Sequence, residues 1–305
     1  MILEHIKTKK STNIIVAECS VEVITNSIDF YEHIIKNYMV CDIHTNSKVF
    51  IIECETFEEM VLYINCNFNI LIEKCDKVTE TFESRKIEDS FLVRIVRGDN
   101  KYIFYYNDNK CDIMEYIHSV FEFAVLSYLP SNCIILHSSL VERNGNAILF
   151  SGHSGAGKTT MALLSTRYGT MFVENEHVVI DLANELFLYK TSCDIRIKED
   201  AIRGTKNIID YDNITTTSGV KKYKSVAFAF LEFGENNVRR LSIIEAIKKI
   251  LQNLVVTEMS KTKIVECLAE WLSSNKINVF DVHIKKGDYE YSAQAIKQIM
   301  EESVI

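Results

Sequence analysis

The sequence predicts a two-part α/β protein: a β-rich (α+β) N-terminal region followed by an α/β domain with a central sheet. Three observations lead there. Residues 1 to about 110 hold short runs rich in Ile, Val, Tyr and Phe, several alternating, as in Lys101-Tyr102-Ile103-Phe104-Tyr105-Tyr106. From about residue 131, strand-like and helix-like runs take turns. Glycine is scarce, 10 in 305 residues, yet Gly152, Gly155 and Gly157 fall within six positions.

In the N-terminal region, Asn13 to Thr25, Lys48 to Glu55, Leu62 to Lys74, Ser90 to Arg97 and Lys101 to Asn107 read as strands of a half-buried antiparallel sheet. Asn26 to Asn37 reads as one intervening helix, capped by Ser27 or Asn26. No chemical constellation appears in residues 1–110, which are read as a domain for substrate or partner binding. A linking helix follows within 111–130. Its stripe is Ile113, Ile117, Val120, Phe121, Ala124, Val125 and Tyr128; Asp112 is the expected cap and Pro130, the sole proline, the stop.

Residues 131–305 form the second domain. A strand from Cys133 to Val141 turns at Arg143-Asn144-Gly145-Asn146 into a strand from Ala147 to Ser151. The glycine-rich loop, a helix from Lys158 to about Tyr168 and a strand from Thr170 to Val173 come next. That strand runs into Glu174-Asn175-Glu176-His177 and resumes as Val178 to Leu182. Val226 to Glu232, helices over 242–254 and 260–274, a strand from Asn278 to His283 and a terminal helix from about Ser292 complete the chain. Trp271 and the helix stripes are expected in the core.

Composition narrows the function. With 34 basic against 42 acidic residues the formal charge is −8, a field that repels phosphate backbones and anionic lipid. Nucleic acid and membrane are therefore excluded as default partners. No apolar run approaches the roughly 20 residues of a membrane helix. The N-terminal stretch lacks signal-peptide anatomy, so a cytoplasmic protein is expected. Nine cysteines stand singly, with no C-x-x-C spacing, and are expected as reduced, buried thiols.

Chemistry concentrates in one motif. Ser151-Gly152-His153-Ser154-Gly155-Ala156-Gly157-Lys158-Thr159-Thr160 contains G-x-x-x-x-G-K-[ST], preceded by the apolar strand Ala147-Ile148-Leu149-Phe150 and followed by helical Met161-Ala162-Leu163-Leu164. Glycines let successive N–H groups converge on one anion, and the helix start adds its positive end. Lys158 suits the β/γ-phosphates and Thr159 suits Mg²⁺. ATP and Mg²⁺ are the expected ligands, bound across residues 152–160.

The stretch Leu136-His137-Ser138-Ser139-Leu140-Val141-Glu142, Gly145 and Ile148 through Thr159 resembles the catalytic domain of HPr kinase/phosphorylase. It is still more similar to the shorter HPr-kinase-like proteins of modified-peptide gene clusters. In that family a strand histidine lies about 21 residues before the loop lysine, and 158 − 137 = 21. An Asp-Asp pair begins about 17 residues after it, and 158 + 17 = 175. Val226 to Glu235 also resembles the family's late strand. The likeness spans about residues 130–300 and implies an HPr-kinase-type P-loop domain. It also implies phosphorylation of a hydroxyl, a serine of a small protein or peptide, and self-association as a homo-oligomer.

At the acidic pair the sequence departs from the family, with Asn175 and Glu176 between Glu174 and His177. The first aspartate is the family's proton acceptor, a role an amide cannot take. Glu176 keeps a carboxylate for Mg²⁺ beside Thr159. In an extended segment Glu174 and Glu176 share one face and Asn175 points away, so a slight shift could place either carboxylate near the γ-phosphate, and Glu174 is the candidate substitute base. His137 is expected beside the acceptor. Arg196 and Arg203 are the candidates for a cationic clamp on the transferred phosphate. His153 and His177 have incidental readings as loop and strand residues, and Lys221-Lys222-Tyr223-Lys224 reads as a solvated loop after Thr215 to Gly219. Two other functions compete. Asn175 suits a nucleotide-binding adaptor without transfer, and Ser154 to Thr160 with Glu176-His177 also resembles pieces of ATP-dependent phosphoenolpyruvate carboxykinase.

Overall fold

A computed structural model describes residues 9–16, 19–70, 72, 77–79, 82–87, 90–107, 114–183, 186–190, 221–256 and 259–303. The chain divides into two compact units, Met1–Leu129 and Pro130–Ile305. Each is a mixed α/β body with its own sheet. No helix among the described residues is long and apolar enough to cross a membrane.

In the first unit, β1 (Lys10–Val16) and β2 (Cys19–Thr25) form an antiparallel pair where one long strand was expected. Helix α1 (Ile28–Asn37) begins at Ser27, and β3 (Met39–Cys41) pairs with β1. Next come β4 (Lys48–Cys54), helix α2 (Phe57–Phe68), β5 (Lys77–Val78), β6 (Phe82–Ile87), β7 (Ser90–Arg97), β8 (Asn100–Tyr106) and helix α3 (Met114–Leu126). The expected Asp112 cap lies outside the described residues. Strand order is β3-β1-β2-β4-β8-β7-β6-β5. The sheet is mixed, not antiparallel, because β2–β4 and β4–β8 run parallel.

Helix α2 overturns the expected strand from Leu62 to Lys74. Its composition is strand-like, but local capping decides otherwise. The Thr56 hydroxyl accepts the Glu59 N–H at 3.1 Å, while the Glu59 carboxylate accepts the Glu55 N–H at 2.8 Å. Met60 and Ile64, one helical turn apart, are fully buried against Ile52, Phe91, Val93, Ile95 and Phe104. Asn69 ends the helix at φ 57°. Thr56→Ala is expected to lower unfolding free energy by about 1 kcal/mol in urea denaturation, the usual worth of such a cap.

The second unit follows expectation more closely. Strand β9 (Cys133–Arg143) turns at Asn144 (φ 55°) and Gly145 (φ 84°) into β10 (Asn146–Ser151). Positive φ at both central residues is the mirror-image turn that suits a twisted hairpin. Helix α4 (Lys158–Ser165), a short 3₁₀ turn at Thr166–Tyr168, β11 (Met171–Glu174) and β12 (His177–Asp181) follow. Then come β13 (Phe187–Lys190), β14 (Lys221–Lys222), β15 (Ser225–Phe233), β16 (Asn237–Arg240) and helix α5 (Ile243–Gln252). The chain closes through β17 (Leu254–Val256), α6 (Lys261–Ser274), β18 (Asn278–Ile284) and α7 (Tyr289–Glu302). Helix α7 starts three residues before the expected Ser292 because Asp288 caps it, accepting the Tyr291 N–H at 3.0 Å.

The main path of this sheet is β14-β13-β12-β9-β10-β15-β18-β16, with β10, β15 and β18 parallel. Helices α5 and α6 bury Ile247, Ile250, Leu268 and Trp271 on one face, while α4 and α7 bury Met161, Leu163, Ile296 and Ile299 on the other. The path from β10 goes out through α4 to β11 on one side. The path from β15 goes through α5 and α6 to β18 on the other. The chain therefore reverses direction between the carboxyl ends of β10 and β15, where open α/β sheets place a ligand crevice.

Strand β9 changes neighbours midway. Its first half lies between β12 and β17, its second between β11 and β10. The chain leaves β10 at Ser151 as the glycine-rich loop, and β17 takes up the sheet position beyond it. Cys54 and Cys133 are buried, but Cys66 is exposed, against the expectation of buried thiols. Burial pushes the Cys54 thiol up to about 12, so it stays protonated. In the expected solvated loop 221–224, Tyr223 is instead buried.

Candidate functional site

The loop begins where β10 ends. Ala147 to Ser151 are buried, and the Ser151 hydroxyl donates to the His137 carbonyl at 3.3 Å. Gly152 sits at φ 145°, and a Cβ there would stand 2.6 Å from the Leu231 carbonyl oxygen. No other residue fits between β10 and β15. Gly152→Ala is expected to cost about 2 kcal/mol, a fall of about 4–8 °C in melting temperature for a unit this size, read by circular dichroism. Gly157 precedes the helix at φ 95°, and the Met161 N–H donates to its carbonyl at 2.9 Å to open α4.

Lys158, the first helical residue, is 7% exposed and folds back over the loop. Its Nζ donates to the carbonyls of Gly152 (2.9 Å) and His153 (3.1 Å). The ammonium is thus held above the loop at the amino end of a helix, where positive field and a cation add for an anion. His153, Ser154 and Gly155 are exposed; Ala156, Gly157, Thr159 and Thr160 are half-buried.

Beside the helix start, the bend after β11 breaks the extended geometry expected for 174–176. Asn175 does not point away. Its Oδ1 accepts from the Thr159 hydroxyl at 2.9 Å and from the Ser139 hydroxyl at 2.8 Å. Glu174, 3% exposed, turns its Oε1 back to accept the N–H groups of Asn175 (2.8 Å) and Glu176 (3.3 Å). A carboxylate that takes two amides of its own bend shapes that bend, and this turns Asn175 toward the helix. Pairing of β11 and β12 with β9 on either side of the bend forces the departure, since the register shifts between Phe172 and Glu174.

Next along β9, His137 lies opposite His177, with ring centres 5.9 Å apart. His137 Nδ1 is 3.0 Å from the Glu176 carbonyl oxygen and 3.7 Å from Glu176 Oε2. A carbonyl only accepts, so the neutral ring carries its proton on Nδ1. The structure therefore joins Thr159 to Asn175 and Glu176 to His137. Arg196 and Arg203 lie outside the described residues, as does Thr215 to Gly219. Ser139 was missed as a site residue. Strand alternation could have found it, because two residues past His137 on β9 it shares that face.

Among the described residues, no cluster of three His, Cys, Asp or Glu side chains is assembled for a metal ion. The donor set fits a hard cation shared with phosphate. The Thr159 hydroxyl and Asn175 amide oxygen converge beside the loop, and Mg²⁺ keeps waters and substrate oxygens around few protein ligands.

The sequence matches no family model and no curated protein. Among solved structures, the chain is similar to the HPr(Ser) kinase/phosphatase from Coxiella burnetii, at 11% identity and a TM-score of 0.27, over 55% of this chain and 99% of that one. A futalosine hydrolase mutant of Helicobacter pylori strain 26695 overlaps at 11% identity and a TM-score of 0.15, over 85% and 100% of the respective chains. Superpositions this loose carry no argument about function, which must come from the site.

Proposed function

We propose that the second unit binds ATP with Mg²⁺ on residues 152–160 and transfers the γ-phosphoryl group to a hydroxyl, a serine of a small protein or peptide. The observation that carries this reading is the Lys158 ammonium poised over the Gly152 to Gly157 loop at a helix start, at the sheet's switch point.

The loop amides and Lys158 hold the β/γ-phosphates. Thr159 and the Asn175 oxygen it meets, with the Glu176 carboxylate, would hold Mg²⁺, which would neutralise phosphate charge. His137, oriented by Glu176, stands by the acceptor hydroxyl. The transition state is loose, so positioning and charge neutralisation supply most of the acceleration and late proton removal is secondary. Asn175 can orient through its two hydroxyl partners but takes no proton, which makes transfer slow. The same amide favours a second reading, a nucleotide-binding adaptor without transfer.

The test is incubation with γ-labelled ATP, Mg²⁺ and serine-containing peptides, followed by mapping of the label. Label on a peptide serine is the expected result. Nucleotide binding without label on any peptide selects the adaptor. A chain that binds no nucleotide at all ends both readings.

A further inference from the structure

The carboxyl end of β15 carries an ion network outside the site described above. Lys249, in the last turn of α5, places Nζ 2.5 Å from Glu232 Oε1 and 2.9 Å from Asp281 Oδ1. Arg239 reaches Asp281 Oδ2 at 3.6 Å and Glu245 Oε1 at 2.8 Å, and His283 Nε2 stands 3.3 Å from Asp281. Burial alone would raise the Asp281 carboxyl, but the Lys249 ammonium outweighs it and holds it below the usual range. The Asp281 side chain is only 11% exposed and that of Lys249 21%, so this pair is less screened than surface pairs of negligible worth.

Its place in the fold matters more than its strength. Glu232 directly follows Leu231, whose carbonyl forms the floor against which Gly152 lies. One turn after Lys249, the Asn253 side-chain amide donates to the Lys249 carbonyl at 2.8 Å. The Asn253 carbonyl in turn accepts the His137 N–H at 3.3 Å. One ammonium thus ties the strand end beneath the phosphate loop to the helix end that aligns the strand of His137.

We infer that Lys249 is a positioning residue for the phosphate loop, bridging Glu232 and Asp281 so that the end of β15 stays closed against Gly152. It sets nucleotide affinity without touching nucleotide. The inference rests on the nucleotide-binding reading above.

Fluorescence titration with a methylanthraniloyl ATP and Mg²⁺ tests it on the wild type, Lys249→Met, Lys249→Arg and Glu232→Gln, well below each melting temperature. Lys249→Met is expected to weaken binding about tenfold, the scale of couplings carried through packed networks, with Lys249→Arg recovering to within about threefold. Glu232→Gln, which keeps the side-chain volume, should weaken binding in the same direction. A purely stabilising role would lower the melting temperature and leave the affinity of folded protein, and its rescue by arginine, unmoved. That result overturns the inference while leaving nucleotide binding intact. If Lys249→Met does not fold, Glu232→Gln decides, and wild-type affinity in it overturns the inference. A wild type that binds no nucleotide overturns both.

Discussion

Lys158→Ala is expected to weaken binding of ATP with Mg²⁺ at least about 100-fold, which corresponds to ~2.7 kcal/mol. Charge-assisted hydrogen bonds contribute about 1.5–3 kcal/mol each, and the ammonium would make such bonds to two phosphate groups. The fold should survive. In the absence of nucleotide the ammonium serves two loop carbonyls, Gly152 and His153, which water can reach once the side chain is gone. A thermal-shift assay separates the two effects. Saturating nucleotide at about 100 times its dissociation constant should stabilise the wild type by ~2.7 kcal/mol and the variant by almost nothing. An equal shift in both would remove Lys158 from the site and with it the proposed function.

Asn175→Asp is expected to raise phosphoryl transfer about 100-fold, the lower range for a positioned general base. The geometry is already suitable. Asn175 Oδ1 accepts from Thr159 and Ser139, and a carboxylate oxygen can accept both bonds unchanged. What the exchange adds is a second oxygen able to take the acceptor proton. The added charge is costly before nucleotide binds, because position 175 is 2% exposed. The variant should therefore be less stable alone and regain stability when Mg²⁺ and ATP are added. The measurement is initial-rate labelling of a peptide substrate, with melting curves in both states. Unchanged transfer with intact nucleotide binding would show that proton removal does not limit the reaction and that the amide is not the missing part.

The first unit was the less legible. The part of helix α2 from Leu62 onward reads as a strand because Tyr63, Ile64 and Phe68 are strand-forming types, while the decisive signal is a hydrogen-bond exchange among Glu55, Thr56 and Glu59. Parallel pairing of β2, β4 and β8 is equally invisible in single-strand alternation. It depends on which strands become neighbours after helices cross the sheet. In the second unit the strand–loop–helix order could be read directly, because glycine spacing, the lysine and the apolar flanks are all local.

The site divides along the same line. The linear chain was enough to locate the glycine-rich loop with its lysine and to mark the amide at position 175, since both depend on residue types at short separations. Only the tertiary structure turned Asn175 toward Thr159 and gave Glu174 to the backbone of its own bend. It also brought Glu176 to His137, 39 residues earlier in sequence, and placed Lys249 against Glu232 at the carboxyl end of β15. Those outcomes follow from a register shift and from one long strand changing neighbours, and neither leaves a periodic trace in the order of the residues.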